Sequence, residues 1–171
     1  MKSKNIKDGH EISTCKRFLS LYNNKDNKSL NSIRQGDPQN KEPDCICGED
    51  LAIELVGVYD NKYQAEKMWS TARNKTVSRQ PDLQLLTLKN LENEIGKKLQ
   101  KLNLGNYNGF SGKLILVCNL LSPLIDSEEV EQYIKNYVPF RSDGHFDKYF
   151  YEIWISWQPN GETNWKIKKL K

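Results

Sequence analysis

The chain has 171 residues, 37% of them hydrophobic and 28% charged, with a formal net charge of +4; that length suits one domain with a single core and is short for two. Its longest apolar runs, around residues 51–58 and 114–121, fall well short of the roughly 20 residues of a membrane span. The N-terminus is charged and shows no apolar signal core, so a cytoplasmic location is expected, and four cysteines without the dense spacing of a secreted scaffold are expected as reduced thiols.

Ile12, Cys15, Leu19 and Tyr22 recur at three- and four-residue steps and predict an amphipathic helix over 10–23. Leu30 and Ile33 mark either a short edge strand or another helical turn before the loop at Gly36-Asp37-Pro38. Two strands follow, 44–47 and 51–58, separated by the turn Gly48-Glu49-Asp50. The second is almost continuously apolar, as a strand covered on both faces would be. Residues 60–82 read as a polar, basic insertion with a helical patch at 63–72. Leu88, Leu91, Ile95, Leu99 and Leu102 predict a helix stopped near Gly105. A strand at 114–118 comes next, and Asp126 with Glu129 can form a capping box that starts a helix reaching Tyr137. Tyr149, Tyr151, Ile153, Ile155 and Trp157 alternate, and after Gln158-Pro159-Asn160-Gly161 the chain returns through Trp165 and Ile167 as a hairpin. The expected fold is α/β (α+β): one domain with a central mixed sheet flanked by helices and a C-terminal β-hairpin.

Charge is laid out unevenly. Residues 1–41 hold nine bases and four acids, 42–60 six acids and no base, and 61–81 five bases and one acid. An acidic segment between basic ones is what a cation-assisted phosphodiester site needs: carboxylates for the metal, Lys and Arg for the polyanion. Unevenly distributed surface charge gives the same pattern without any site. Within the acidic segment, Glu54 stands in an otherwise apolar strand, either as a metal-holding acid or as a buried structural glutamate paired with a basic residue. Alternation puts Ala52, Glu54, Val56 and Val58 on one face and Leu51, Ile53, Leu55 and Gly57 on the other. Asp44 follows Pro43 at the start of the neighbouring strand. If the turn at Gly48 pairs the two strands, Asp44 and Glu54 point to one side of the sheet, close enough to share a divalent cation that would relieve their mutual repulsion.

Pro43-Asp44, with Glu54 ten residues on and a helix and further strand after it, resembles the PD-(D/E)xK nuclease superfamily, the restriction-endonuclease-like group. The resemblance implies a core of helix, three strands, helix and strand, an order that residues 10–118 match. It also implies Mg²⁺ or Mn²⁺ held by Asp44 and Glu54, hydrolysis of a DNA phosphodiester by an activated water, and a Lys two residues after the acid that helps place that water. Position 56 is Val, a departure from the pattern, but the superfamily permits the lysine to come from another element. Lys98 is the candidate, because Leu91, Ile95, Lys98 and Leu102 step by four, three and four and put it on the core-facing stripe. Lys97, Lys101 and Lys62 are weaker substitutes, and a stem packed on the core with its ammonium in water is the plain alternative.

Lys67, Arg73, Lys75 and Arg79, beside Trp69, are the candidate nucleic-acid contacts, with a solvated insertion as the plain alternative. Glu11 reads either as an added acid near the metal or as a solvated helix residue. Cys45-x-Cys47, with Cys118 and either His10 or Cys15, is too closely spaced for most zinc knuckles and reads as small core residues. The expected partner is DNA, with no membrane contact and with a homodimer as one assembly. The rival function is a catalytically inactive nuclease-like module that binds nucleic acid or protein.

Overall fold

Six segments pair in chain order into one sheet: Arg34–Gln35 (β1), Cys45–Ile46 (β2), Leu51–Val58 (β3), Lys113–Leu120 (β4), Glu152–Trp157 (β5) and Lys166–Lys169 (β6). The structure is a computed structural model that describes residues 3–26, 29–30, 32–59, 87–122, 125–136 and 146–170. The basic insertion expected at 60–82, with Lys62, Lys67, Arg73, Lys75 and Arg79, lies outside the described residues. Three α-helices are described: α1 (Ser3–Asp26), α2 (Thr87–Asn103) and α3 (Ser127–Asn136).

β1–β2, β2–β3 and β5–β6 pair antiparallel, while β3–β4 and β4–β5 pair parallel. Parallel neighbours need a crossover; α2 lies between β3 and β4, and α3 between β4 and β5. The result is an α+β protein whose mixed sheet is flanked by helices and ends in a hairpin, as expected. Among the described residues the order α1, β1, β2, β3, α2, β4 runs helix, three strands, helix and strand.

Each face of the sheet carries its own core. Leu91, Ile95 and Leu99 of α2 and Val130 of α3 pack on Ala52, Val56, Leu116, Cys118 and Ile155. On the other face, Cys15, Phe18, Leu19 and Tyr22 of α1 pack on Cys45, Ile53, Ile115, Val117 and Trp154. The alternation read from β3 therefore holds. Glu152 anchors the α1 side, accepting from Trp154 Nε1 at 2.7 Å, Lys169 Nζ at 2.8 Å and the Tyr22 hydroxyl at 3.3 Å. At the start of α3 the capping box forms: Glu129 N donates to Asp126 Oδ1 at 2.8 Å and Asp126 N to Glu129 Oε2 at 3.4 Å.

Several expectations need correction. α1 is longer than 10–23, and the open choice near Leu30 and Ile33 resolves as an edge strand just beyond them, β1. β5 is buried at all six positions instead of alternating, because helices cover both of its faces, while Tyr151 just before it is exposed. The cysteines are not all reduced. α1 crosses β2 so that the Cα atoms of Cys15 and Cys45 lie 6.8 Å apart, and the two sulfurs are bonded. Cys47 and Cys118 remain free and buried, and burial pushes the Cys47 thiol up to about 12. Thiol titration of the unreduced protein should therefore find no fast-reacting thiol in the native state and two in denaturant, rising to four after reduction; four thiols in denaturant without reductant would contradict the bridge.

Candidate active site

The segment that delivers Asp44 is pinned before the strand begins. Asp37 caps a short 3₁₀ turn, Pro38–Asn40, accepting from Gln39 N at 2.9 Å. Arg34 forks onto Glu42 at 2.7 and 2.8 Å, and Asp37 N adds a third donor at 2.9 Å. The guanidinium first and that amide second hold the Glu42 carboxyl at about 2. Gly36 N donates to Asp44 O at 3.0 Å. A Cβ on Gly36 would sit 1.7 Å from Pro43 O, so only glycine permits this approach.

β2 then sets the register. Cys45 faces Ile53, so Asp44 stands opposite Glu54 across the antiparallel pair. Opposed residues in such a pair project to one side. Glu54 is 4% exposed. Its Oε1 accepts from Lys98 Nζ and from the Tyr107 hydroxyl at 2.9 Å, and its Oε2 from Asp44 N at 3.2 Å. Asp44 Oδ2 in turn accepts from Leu55 N at 2.8 Å, the next amide along the β3 edge. Burial first, and the Asp44 charge second, raise the affinity of Glu54 for a proton; Lys98 and Tyr107 oppose them. The Tyr107 phenol is pushed up by burial and by Glu54 and stays a donor. Lys98 lies on the buried side of α2, and Gly105, at φ 78°, turns the chain past the end of α2 towards Tyr107.

β2 begins only at Cys45, and in the antiparallel pair the residues before it would face Leu55 to Val58, so these have no strand partner on that edge among the described residues. A cleft of about 280 Å³ opens there, where the two faces of the sheet meet. Lys7, His10, Glu11 and Thr14 of α1 form one wall. Asp44, Leu55, Val56, Gly57 and Asn119 form the floor, with Lys98 at one side and Tyr59 and Leu121 at the ends of their strands. It lies at the carboxyl ends of β3 and β4, the end at which open α/β sheets bind ligands.

The structure brings Asp44, Glu54 and Lys98 together. Glu11 lines the cleft and pairs with Lys7 at 3.2 Å. Lys97 points outward to Glu94 at 2.5 Å, and Lys101 is exposed. The cysteines do not gather: Cys45 is bonded to Cys15, and Cys47 and Cys118 lie in cores on opposite faces. Sequence reasoning missed Tyr107, Thr14 and Asn119. Asn119 carried the same signal as Glu54, a polar residue inside an apolar strand. Tyr107 gave none, because its position depends on how the chain turns after α2.

Among the described residues, no group of three or more His, Cys, Asp and Glu side chains is placed to hold a metal ion. The donor set nevertheless fits Mg²⁺, which keeps several waters and is bound through one or two carboxylates plus substrate phosphate. Two hard carboxylates stand in register, and the Asp44 charge, which after burial raises the Glu54 proton affinity, is the part that a cation offsets.

Lys98 contacts the buried Glu54 carboxylate, so Lys98→Met strands that charge. We expect it to cost about 3 to 5 kcal/mol in urea unfolding at neutral pH, with much of the loss recovered by adding Glu54→Gln. Equal stability of Lys98→Met and wild type would place the ammonium in water and not on Glu54.

No protein-family model, curated protein or solved structure matches the chain.

Proposed function

We propose that the chain is a metal-dependent phosphodiesterase of the PD-(D/E)xK type acting on DNA, with Asp44 and Glu54 as the carboxylates that hold Mg²⁺ or Mn²⁺ and Lys98 in the place of the lysine absent at Val56. The observation that carries this reading is the convergence of those three side chains, from the residue before β2, from β3 and from α2, beside one cleft at the open edge of the sheet. A bound divalent cation supplies charge neutralisation of the phosphate and a more acidic water. The remaining work belongs to the chain. Tyr107 and Asp44 N fix the Glu54 carboxylate in one orientation. Lys98 has three donors; one is used on Glu54, and the others are available to a water or phosphate oxygen in the cleft that it lines. A second reading, a catalytically inactive module that binds nucleic acid or protein, is favoured by the same Lys98–Glu54 contact, which leaves the lysine neutralised.

Cleavage of supercoiled plasmid and of single- and double-stranded oligonucleotides in Mg²⁺ or Mn²⁺ separates the two. Asp44→Asn keeps an acceptor for Leu55 N while removing the charge, so it should remain folded and lose cleavage by about 100-fold or more, as should chelation of the metal in wild type. Salt-dependent DNA binding by a wild type that cuts none of these forms would establish the inactive module instead.

A further inference from the structure

We propose that the inner end of the cleft is a pocket for one nucleobase of the substrate strand, read by Asn119 and Thr14; this rests on the phosphodiesterase reading for the identity of the ligand. Thr14 on α1 and Asn119 on β4 are 2% and 3% exposed, and both line the cleft. Thr14 Oγ1 and Asn119 Oδ1 have no hydrogen-bond partner. Buried polar atoms are nearly always paired, so two orphans carried by residues that line a single cleft point to a ligand that supplies the missing partners. An N–H edge satisfies the Asn119 carbonyl, and the Thr14 hydroxyl can donate or accept.

The rest of the pocket favours a flat ring. Gly57 stands beside Asn119 in the β3–β4 pairing and presents no side chain. A Cβ there would lie 3.0 Å from the Tyr59 ring and 3.2 Å from Leu121, so the tyrosine closes over the space that glycine leaves. An aromatic wall, an apolar end and a carboxamide are the elements with which proteins stack and read an unstacked base. At about 280 Å³ the cleft is near the small end of ligand sites and suits one base beside the phosphate. Both orphan oxygens are shut off from bulk water. The base must displace the wall slightly to reach them, which favours a ligand also held through its phosphate near Lys98.

Calorimetric titration of the metal-free protein with the four nucleoside 5′-monophosphates, and with ribose 5-phosphate as the baseless control, tests the pocket without requiring cleavage. We expect saturable binding of at least one monophosphate, with ribose 5-phosphate about ten-fold weaker or worse. Asn119→Leu and Thr14→Val should each weaken that binding about ten-fold, while Thr14→Val melts at or above the wild-type temperature because an apolar group replaces an unpaired hydroxyl. No monophosphate binding better than ribose 5-phosphate would overturn the pocket, as would wild-type affinity in either folded variant. Because the two residues lie on different elements, loss of folding in one leaves the other as the test. Base binding without DNA cleavage would sustain the pocket and remove the hydrolytic reading; cleavage without base binding would do the reverse.

Discussion

A carboxylate buried in the middle of an apolar strand must be paired or neutralised, since an isolated buried charge is costly. Glu54 imposes that requirement, and much of the molecule around it answers it. α2 places Lys98 on its inner side so that the ammonium reaches Oε1. The turn at Gly105 allows Tyr107 to donate to the same oxygen. The braced loop before β2 presents the Asp44 amide to Oε2. Three elements distant in sequence thus converge on one side chain, and the acid that made β3 unusual as a sequence organises one end of the sheet.

The edge position follows from the brevity of β2. With two residues in the strand, Asp44 is the last group opposite β3, and its carboxylate takes the Leu55 amide that a longer strand would have paired. Beyond it the sheet edge opens into the cleft, with α1 as the facing wall. The Cys15–Cys45 bond ties these parts together. Cys15 directly follows Thr14 and Cys45 directly follows Asp44, so the two sides of the cleft are covalently linked one residue from the groups that line it.

Most of the fold could be read from the chain because periodicity reports burial. Leu91, Ile95 and Leu99 marked α2, the apolar runs marked β3 and β4, and the Asp126/Glu129 pair marked the start of α3. The same reasoning found Asp44, Glu54 and Lys98, whose positions follow from strand alternation, a tight turn and helical spacing. It failed where position depends on packing between distant elements. The meeting of Cys15 with Cys45 depends on how α1 crosses β2, and the reach of Tyr107 depends on a turn after α2. β5 differs for a related reason: Tyr149, Tyr151, Ile153, Ile155 and Trp157 alternate, yet Glu152, Trp154 and Ser156 between them are buried too, with Tyr22 of α1 donating to Glu152.

The cation site proposed at Asp44 and Glu54 is tested more directly by metal binding than by any activity. Titration of Mn²⁺ into wild type and Asp44→Asn, followed by the loss of the free-ion electron paramagnetic resonance signal, should show one saturable site in wild type that is absent in the variant. An equally tight site in Asp44→Asn, or no saturable binding to folded wild type, would contradict the account and leave Glu54 as a structural acid held by Lys98 and Tyr107.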